Sequence, residues 1–269
     1  MKLGLIGYGT IGRTLARAIM DGVAGDVSLA AVLDVHDEPP FEQTPGGPVY
    51  TTNIASFLSL DLDVVVEAAS QAVLKEYAPQ VLRSGKNLIA MSAGAFADAA
   101  FFLELGQLAS EHFCRVFIPS GAIGGLDVIS AAAIDEMDEV TLTTIKPIKA
   151  LAGAKSTIDP LLDIDTITTS TCIYEGRAED AVKRFPKNVN VAAALSLAGI
   201  GAKKTTVRIV ADPQVSQNIH RIEARGAFGE LQLEFKNAPS PTNPKTSYLA
   251  ALSAIRLVKN LTAPVKVGT

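Results

Sequence analysis

Three glycines, one aspartate and one histidine are the residues whose types and spacing could do chemistry in this chain. Gly7-Tyr8-Gly9-Thr10-Ile11-Gly12 is a G-x-G-x-x-G turn placed between a short apolar run and a helix-like segment. In such a turn Gly7 permits the tight bend, Gly9 lets backbone approach a pyrophosphate, and Gly12 lets the helix pack close to the sheet. Thr10 and Ile11 then open a helix whose N-terminus presents N–H groups and a positive dipole end to the anion. Alone the motif is weak evidence; the strand before it and the helix after it give it weight. Asp34 closes the next apolar run, 22 residues after Gly12, near the roughly 20 expected of an acid that binds a ribose 2′-OH. A carboxylate there repels a 2′-phosphate, and the residues that follow are Val35, His36 and Asp37, with no Arg to neutralise one. The expectation is NAD, with NADP possible and less favoured. The alternative for Asp34 is an ordinary loop aspartate.

Other candidates lie at the ends of later apolar runs. Glu67-Ala68-Ala69-Ser70 and Ser92-Ala93-Gly94-Ala95 fall at carboxyl ends of expected parallel strands, where ligands bind in open α/β sheets. Small residues such as Ala69 and Ser70 would let a flat nicotinamide lie against backbone; equally, they make tight turns. Pro119-Ser120-Gly121-Ala122-Ile123-Gly124-Gly125-Leu126-Asp127 has the glycine content of a ligand-facing loop or of a hinge. In Phe185-Pro186-Lys187-Asn188-Val189-Asn190, Asn188 is either a helix N-cap or an amide for a carboxamide or carboxylate. Asn190 and Lys187 are candidates for a substrate carboxylate, as are Lys146 and Arg221. Of three histidines, His36 and His112 read as surface groups. His220 shares a strand face with Ile222 and Ala224, and on the residues alone a core role and a catalytic one stand level. Cys114 and Cys172 form no C-x-x-C or Cys/His cluster, so no metal site is expected, and free thiols in a reducing compartment are the expectation.

These residues need elements to hold them. Strand–helix alternation through residue 118, with strands at 2–7, 27–33, 63–67, 87–91 and 115–118 and helices at 52–60, 74–84 and 99–112, specifies an α/β, doubly wound parallel sheet. After residue 120 the rhythm changes. A helix over 125–136, a strand over 139–149 with Pro147 at its end, helices at 179–184 and 188–199, and three successive strands at 204–211, 218–228 and 230–235 suggest a smaller α+β domain on an antiparallel or mixed sheet. A final helix covers 245–260. The division expected is 1–120 for dinucleotide binding and 121–269 for substrate and dimerisation, with the final helix able to pack back on the first part. The apolar residues Val207, Ile209, Leu231, Leu233 and Phe235 are expected to offer a surface for a homodimer.

The 269 residues are 48% hydrophobic and 19% charged with a net charge of −4. This is a globular composition, large enough to bury a core without disulfides or metal. It lacks the basic excess of a nucleic-acid or membrane-surface protein. The longest uncharged stretches, 43–60 and 188–202, are too broken or too short for a membrane span. Glycines and Arg13 argue against a signal peptide, so a cytoplasmic protein is expected.

The stretches GLIGYGTIG, VVVEAAS, SAGAF, PSGAIGGLD, KPIKAL, FPKNVNVAAALSLAG, VRIVADP and NIHRIEARGAFG together resemble the L-aspartate dehydrogenase family, the short NAD(P)-dependent type. The resemblance runs over residues 4–229. It implies a Rossmann domain, a second domain whose sheet helps form a homodimer, contacts of Ala122 and Asn188 with the cofactor, and His220 as the active-site residue. The implied reaction is oxidative deamination of L-aspartate to iminoaspartate, then oxaloacetate and ammonia, reversible and able to feed NAD (pyridine nucleotide) biosynthesis. The chain departs from the family in lacking an Arg after the ribose acid. Two other readings compete: a reductase of another small acid or cyclic imine of the dihydrodipicolinate reductase type, whose paired His residues are missing here, and a non-catalytic NAD-binding sensor.

Overall fold

Lys2–Ile6 (β1), Ser28–Leu33 (β2) and Val64–Glu67 (β4) are short apolar runs that pair in parallel. Such runs are the signature of strands buried on both faces. In the computed structural model, which describes residues 1–36, 39, 41, 44–151, 164–185 and 189–268, Val49–Thr51 (β3), Asn87–Ala90 (β5) and Val116–Phe117 (β6) complete a six-stranded, wholly parallel sheet. Its order is β3-β2-β1-β4-β5-β6, with the reversal at β1 that opens a ligand crevice at the carboxyl edge. Helices Thr10–Met20 (α1), Ile54–Leu58 (α2), Gln71–Arg83 (α3) and Ala99–Glu111 (α4) make the crossovers. Caps explain their starts: Asn53, Ser70 and Asp98 accept from the N–H groups of Ser56, Val73 and Phe101. Gly85, at φ +75°, follows the C-cap of α3, as the C′ position requires. The edge strand β3 has no counterpart in the sequence reading, because three residues behind Gly47-Pro48 carry no alternation to read.

The chain divides into two compact units, Met1–Pro119 with Ala250–Val267, and Ser120–Leu249 with Gly268–Thr269. The final helix, Tyr248–Thr262 (α9), buries Ala254, Ile255 and Val258 in the first unit's core beside Leu15, Ile19, Val32 and Val64.

The second unit is built on a mixed sheet. Its strands are Met137–Lys146 (β7), Thr171–Arg177 (β8), Thr206–Ala211 (β9), Asn218–Gly226 (β10) and Gly229–Asn237 (β11), ordered β11-β10-β7-β9-β8. All neighbours are antiparallel except β7 and β9. Leu126–Ala132 (α5), Ile148–Leu151 (α6), Ala178–Arg184 (α7) and Val189–Ala198 (α8) are its helices, and Pro239–Ser240 (β12) and Asn243–Ser247 (β13) form a small ribbon. The sheet's core face carries Leu142, Val207, Ile209, Ile222 and Ala224, packed with Ile129, Ala181, Phe185 and Leu195.

In this sheet β9 lies beside β7. Two expectations are corrected. Residues 243–247 are strand, so the last helix begins at Tyr248. Val207 and Ile209 are buried in the unit's own core and offer no free apolar surface, while Leu231, Leu233 and Phe235 are half-buried against it. The opposite face carries Arg221, Glu223, Arg225, Glu234 and Lys236 in exposed rows, laced by Arg221–Glu234 and Lys236–Glu234 ion pairs. Cys114 is buried and Cys172 exposed, both as free thiols. Among the described residues no helix is long and apolar enough to cross a membrane.

Candidate active site

In the first unit the candidate residues lie at the carboxyl edge of the parallel sheet. Gly7, at φ +91°, turns the chain out of β1, and a Cβ there would lie 2.8 Å from the Cβ of Ala69. A Cβ on Gly12 would lie 2.1 Å from the Gly7 carbonyl oxygen, so glycine is obligatory for α1 to close on the strand. A Cβ on Gly9 meets nothing within 4 Å, which leaves this glycine facing open space. Gly9 is also the N-cap of α1, and no side chain among the described residues caps that end. An open, uncapped helix start between two closed glycines fits a pyrophosphate. Thr10 and Ile11 form the helix's first turn.

Asp34 follows β2 directly. Its two carboxylate oxygens accept from the N–H groups of Tyr8 and Val35 (2.7 Å for Val35), which aims the carboxylate from the end of β2 toward the glycine turn. His36 is exposed, its Nε2 4.0 Å from Asp34 Oδ1. Tyr8, Phe41 and Tyr50 pack ring against ring.

A second acid was not recognised as a site element from the sequence. Glu67 ends β4, 1% exposed. Its Oε1 accepts from the Ala69 N–H and the Ser92 hydroxyl, both at 2.8 Å, and its Oε2 from the Ser92 N–H at 3.1 Å. Burial pushes its pKa up, against the pull of these donors and of the Ser70 N–H. The carboxylate thereby ties the Ala69-Ser70 turn to the turn after β5. Ser70 itself also spends its hydroxyl as the N-cap of α3. The readable signal was an acid ending an otherwise all-apolar strand.

The second unit holds the other candidates. His220 lies on the core face of β10, 7% exposed, paired in register with Thr144 of β7. The Thr144 Oγ1 and His220 Nδ1 are 3.0 Å apart. Two residues along β7 on the same face, Lys146 is mostly buried, and burial lowers its pKa to about 8. Burial first, and the Lys146 charge second, lower His220 to about 4. The imidazole is therefore neutral at pH 7, unlike the titrating group near 6.5 expected of an unperturbed histidine. Arg221 points to the opposite face and pairs with Glu234, so it is separated from this cluster. Ala122 sits in the loop before α5, its carbonyl held at 2.9 Å by the Asn237 amide, whose oxygen accepts from Ser247. Asn190 is exposed on α8. Lys187 and Asn188 lie outside the described residues. Among the described residues no cluster of His, Cys, Asp or Glu could hold a metal ion.

Comparison with known proteins gives these arrangements a class. Residues 7–119 match a family model described as the NAD binding domain of homoserine dehydrogenase. The first unit, with its wholly parallel sheet, is thus the nucleotide-binding domain of a pyridine-nucleotide-dependent dehydrogenase. Residues 127–261 match the family described as aspartate dehydrogenase, C-terminal. The chain is 44% identical to the L-aspartate dehydrogenase of Methanosarcina barkeri, over 100% of both chains. It superposes on the crystal structure of aspartate dehydrogenase from Thermotoga maritima with a TM-score of 0.76 and 32% identity, covering 100% of this chain and 99% of that one. A dihydrodipicolinate reductase from Paenisporosarcina shares the fold alone, at 16% identity and a TM-score of 0.53 over 97% and 95% of the two chains. The chain belongs to the L-aspartate dehydrogenase family.

Proposed function

We propose that this protein oxidises L-aspartate with NAD, giving iminoaspartate and then oxaloacetate and ammonia, with His220 as its catalytic residue. The observation that carries the reading is the His220–Thr144–Lys146 cluster: a buried histidine and a half-buried cation on one sheet face of a chain whose family is aspartate dehydrogenase. A dicarboxylate substrate needs a cation, and the desolvated Lys146 ammonium is the candidate the geometry favours over Arg221. The neutral imidazole of His220 manages a proton or a hydrogen bond at the amine or at the water that hydrolyses the imine. The nicotinamide, when bound, takes the Cα hydride; the protein binds and polarises.

The glycine turn, with Gly7, Gly9, Thr10, Ile11 and Gly12, would hold the pyrophosphate, and Asp34 the adenosine ribose. Ala69, Ser70, Ala122 and Asn188 are assigned to the cofactor, and Asn190 and Lys187 to substrate, on the family resemblance. NAD is preferred over NADP because no arginine follows Asp34 to meet a 2′-phosphate. The second unit is read as the substrate and dimer unit, with the charged open face of its sheet as the dimer surface.

NADH formation with L-aspartate, set against a panel of amino and hydroxy acids, tests the reading. Turnover confined to L-aspartate is expected. Cofactor binding without turnover of any panel member would replace the enzyme by a sensor.

A further inference from the structure

We propose that Thr144 donates its hydroxyl proton to Nδ1 of His220, locking the imidazole in the Nε2–H tautomer, so that His220 serves the reaction as a hydrogen-bond donor and not as a proton acceptor. The inference rests on His220 being the catalytic residue.

Both groups are buried, Thr144 to 3% and His220 to 7% exposure, on directly opposed positions of β7 and β10. Among the described residues the Thr144 hydroxyl has one hydrogen-bond partner, the Nδ1 at 3.0 Å. If Nδ1 carried the proton, Thr144 would accept it and its own buried O–H would face no acceptor. If Thr144 donates, its proton and the Nδ1 lone pair are both satisfied; buried polar groups settle in the arrangement that leaves none unpaired. The bond made by one ring nitrogen sets the state of the other, so Nε2 carries the proton. Burial first, and the charge of Lys146 on the same face second, oppose a second proton on the ring and keep the imidazole neutral. A neutral imidazole with Nε2–H donates to a substrate oxygen that carries negative charge, either a carboxylate or the carbinolamine alkoxide that remains once the added water has lost its proton to solvent and that collapses to expel ammonia. Thr144 is then a positioning residue, acting through His220.

The tautomer is read on the full-length protein labelled with 15N-histidine, by long-range 1H–15N correlation spectra near pH 7. His220→Gln identifies the His220 signals by their loss. Expected is a pyridine-type Nδ1 and a pyrrole-type Nε2 in the wild type. A protonated Nδ1, or an imidazolium, overturns the proposal, and it does so whatever substrate the enzyme uses. A wild type that fails to turn over L-aspartate instead sinks the functional reading and leaves the tautomer standing. Kinetics give the second arm. Removing a preorganised donor costs about 10²–10³ in kcat; His220→Ala is expected to show that loss, and His220→Gln, which keeps an amide N–H, to recover about tenfold of it. Equal loss in both variants would make His220 a base and refute the donor role. Thr144→Val is expected to lower kcat and mix the tautomers with the KM for NAD unchanged, and Thr144→Ser to restore both; should Thr144→Val fail to fold, the wild-type spectrum and the His220 pair decide.

Discussion

Glu67 is the residue whose removal has a cost that can be worked from the structure. Glu67→Ala leaves the N–H and O–H of Ser92 without their acceptor in a buried site. Each unsatisfied buried donor costs about 1–3 kcal/mol, so the two set a range of about 2–6 kcal/mol. The Ala69 N–H is exposed enough to turn to water and adds little. Removing the carboxylate also removes its desolvation penalty, which is the leading cause of its raised pKa. The net loss therefore falls near the lower end, about 2–3 kcal/mol. At about 2 °C per kcal/mol for a chain of this size, the melting temperature drops by roughly 4–6 °C. Glu67→Gln keeps the shape and one oxygen but sets an amide donor against the Ser92 N–H, so it should fall between wild type and Ala. Because the same carboxylate ties the turn that closes on Gly7, NADH affinity should weaken in the same order. Calorimetry and NADH fluorescence titration on one preparation read both. A Glu67→Ala protein that melts within 1 °C of wild type would refute the reasoning that this network holds the sheet's carboxyl edge.

Four further outcomes follow. Asp34→Ala should narrow the preference for NAD over NADP, as kcat/KM for the two cofactors will report; a wild type that prefers NADP sinks the role of Asp34. His220→Ala should lower kcat by about 10²–10³ with NADH affinity nearly intact, while the exposed His36 and the helix-ending His112 change to Ala at little cost in kcat; wild-type kcat in His220→Ala would show the site assignment to be wrong. Since kcat/KM reports the free enzyme, and Lys146 is charged below about pH 8 and neutral above it, kcat/KM for L-aspartate should decline through pH 8, and Lys146→Met should abolish that limb while raising KM. Light scattering at micromolar concentration should show a dimer, and a monomer would remove the open face of the mixed sheet from the proposal.

The parallel half of the fold was legible because its physics is local. The central strands β1, β4 and β5 are short apolar runs with buried faces on both sides, each crossover helix has its cap or its terminating glycine, and the order of elements leaves few topologies. The elements that escaped, β3, β8 and the β12–β13 ribbon, are short edge or ribbon pieces whose pairing, not their own composition, makes them strands. Thr171–Arg177 carries no clean alternation of apolar and polar residues and has Gly176 inside; only β9 beside it turns it into sheet. The same dependence misplaced the apolar surface of the second unit. Alternation separates two faces of a strand, but it cannot say which face the helices cover, and here α5, α7 and α8 cover the one with Val207 and Ile209.

The site divides along the same line. The places of the glycine turn and Asp34, at the ends of β1 and β2, were legible because both lie within one βαβ unit, at a spacing that the strand and helix lengths dictate. His220 could be placed on a face but not given a protonation state, because that state depends on Thr144 and Lys146, 76 and 74 residues away in sequence and adjacent only through the β7–β10 register. A one-residue slip of that register would put Thr143 opposite His220, turn Thr144 to the other face, and leave the imidazole without its partner. Glu67 is the intermediate case: its position at a strand's carboxyl end was visible, but its hydrogen bonds to Ser92 depend on the β4–β5 pairing. On the proposed reading, the candidate site therefore depends less on its individual residues than on two strand pairings, β4 with β5 and β7 with β10. Substitutions that shift either register should cost activity even where every named site residue is kept.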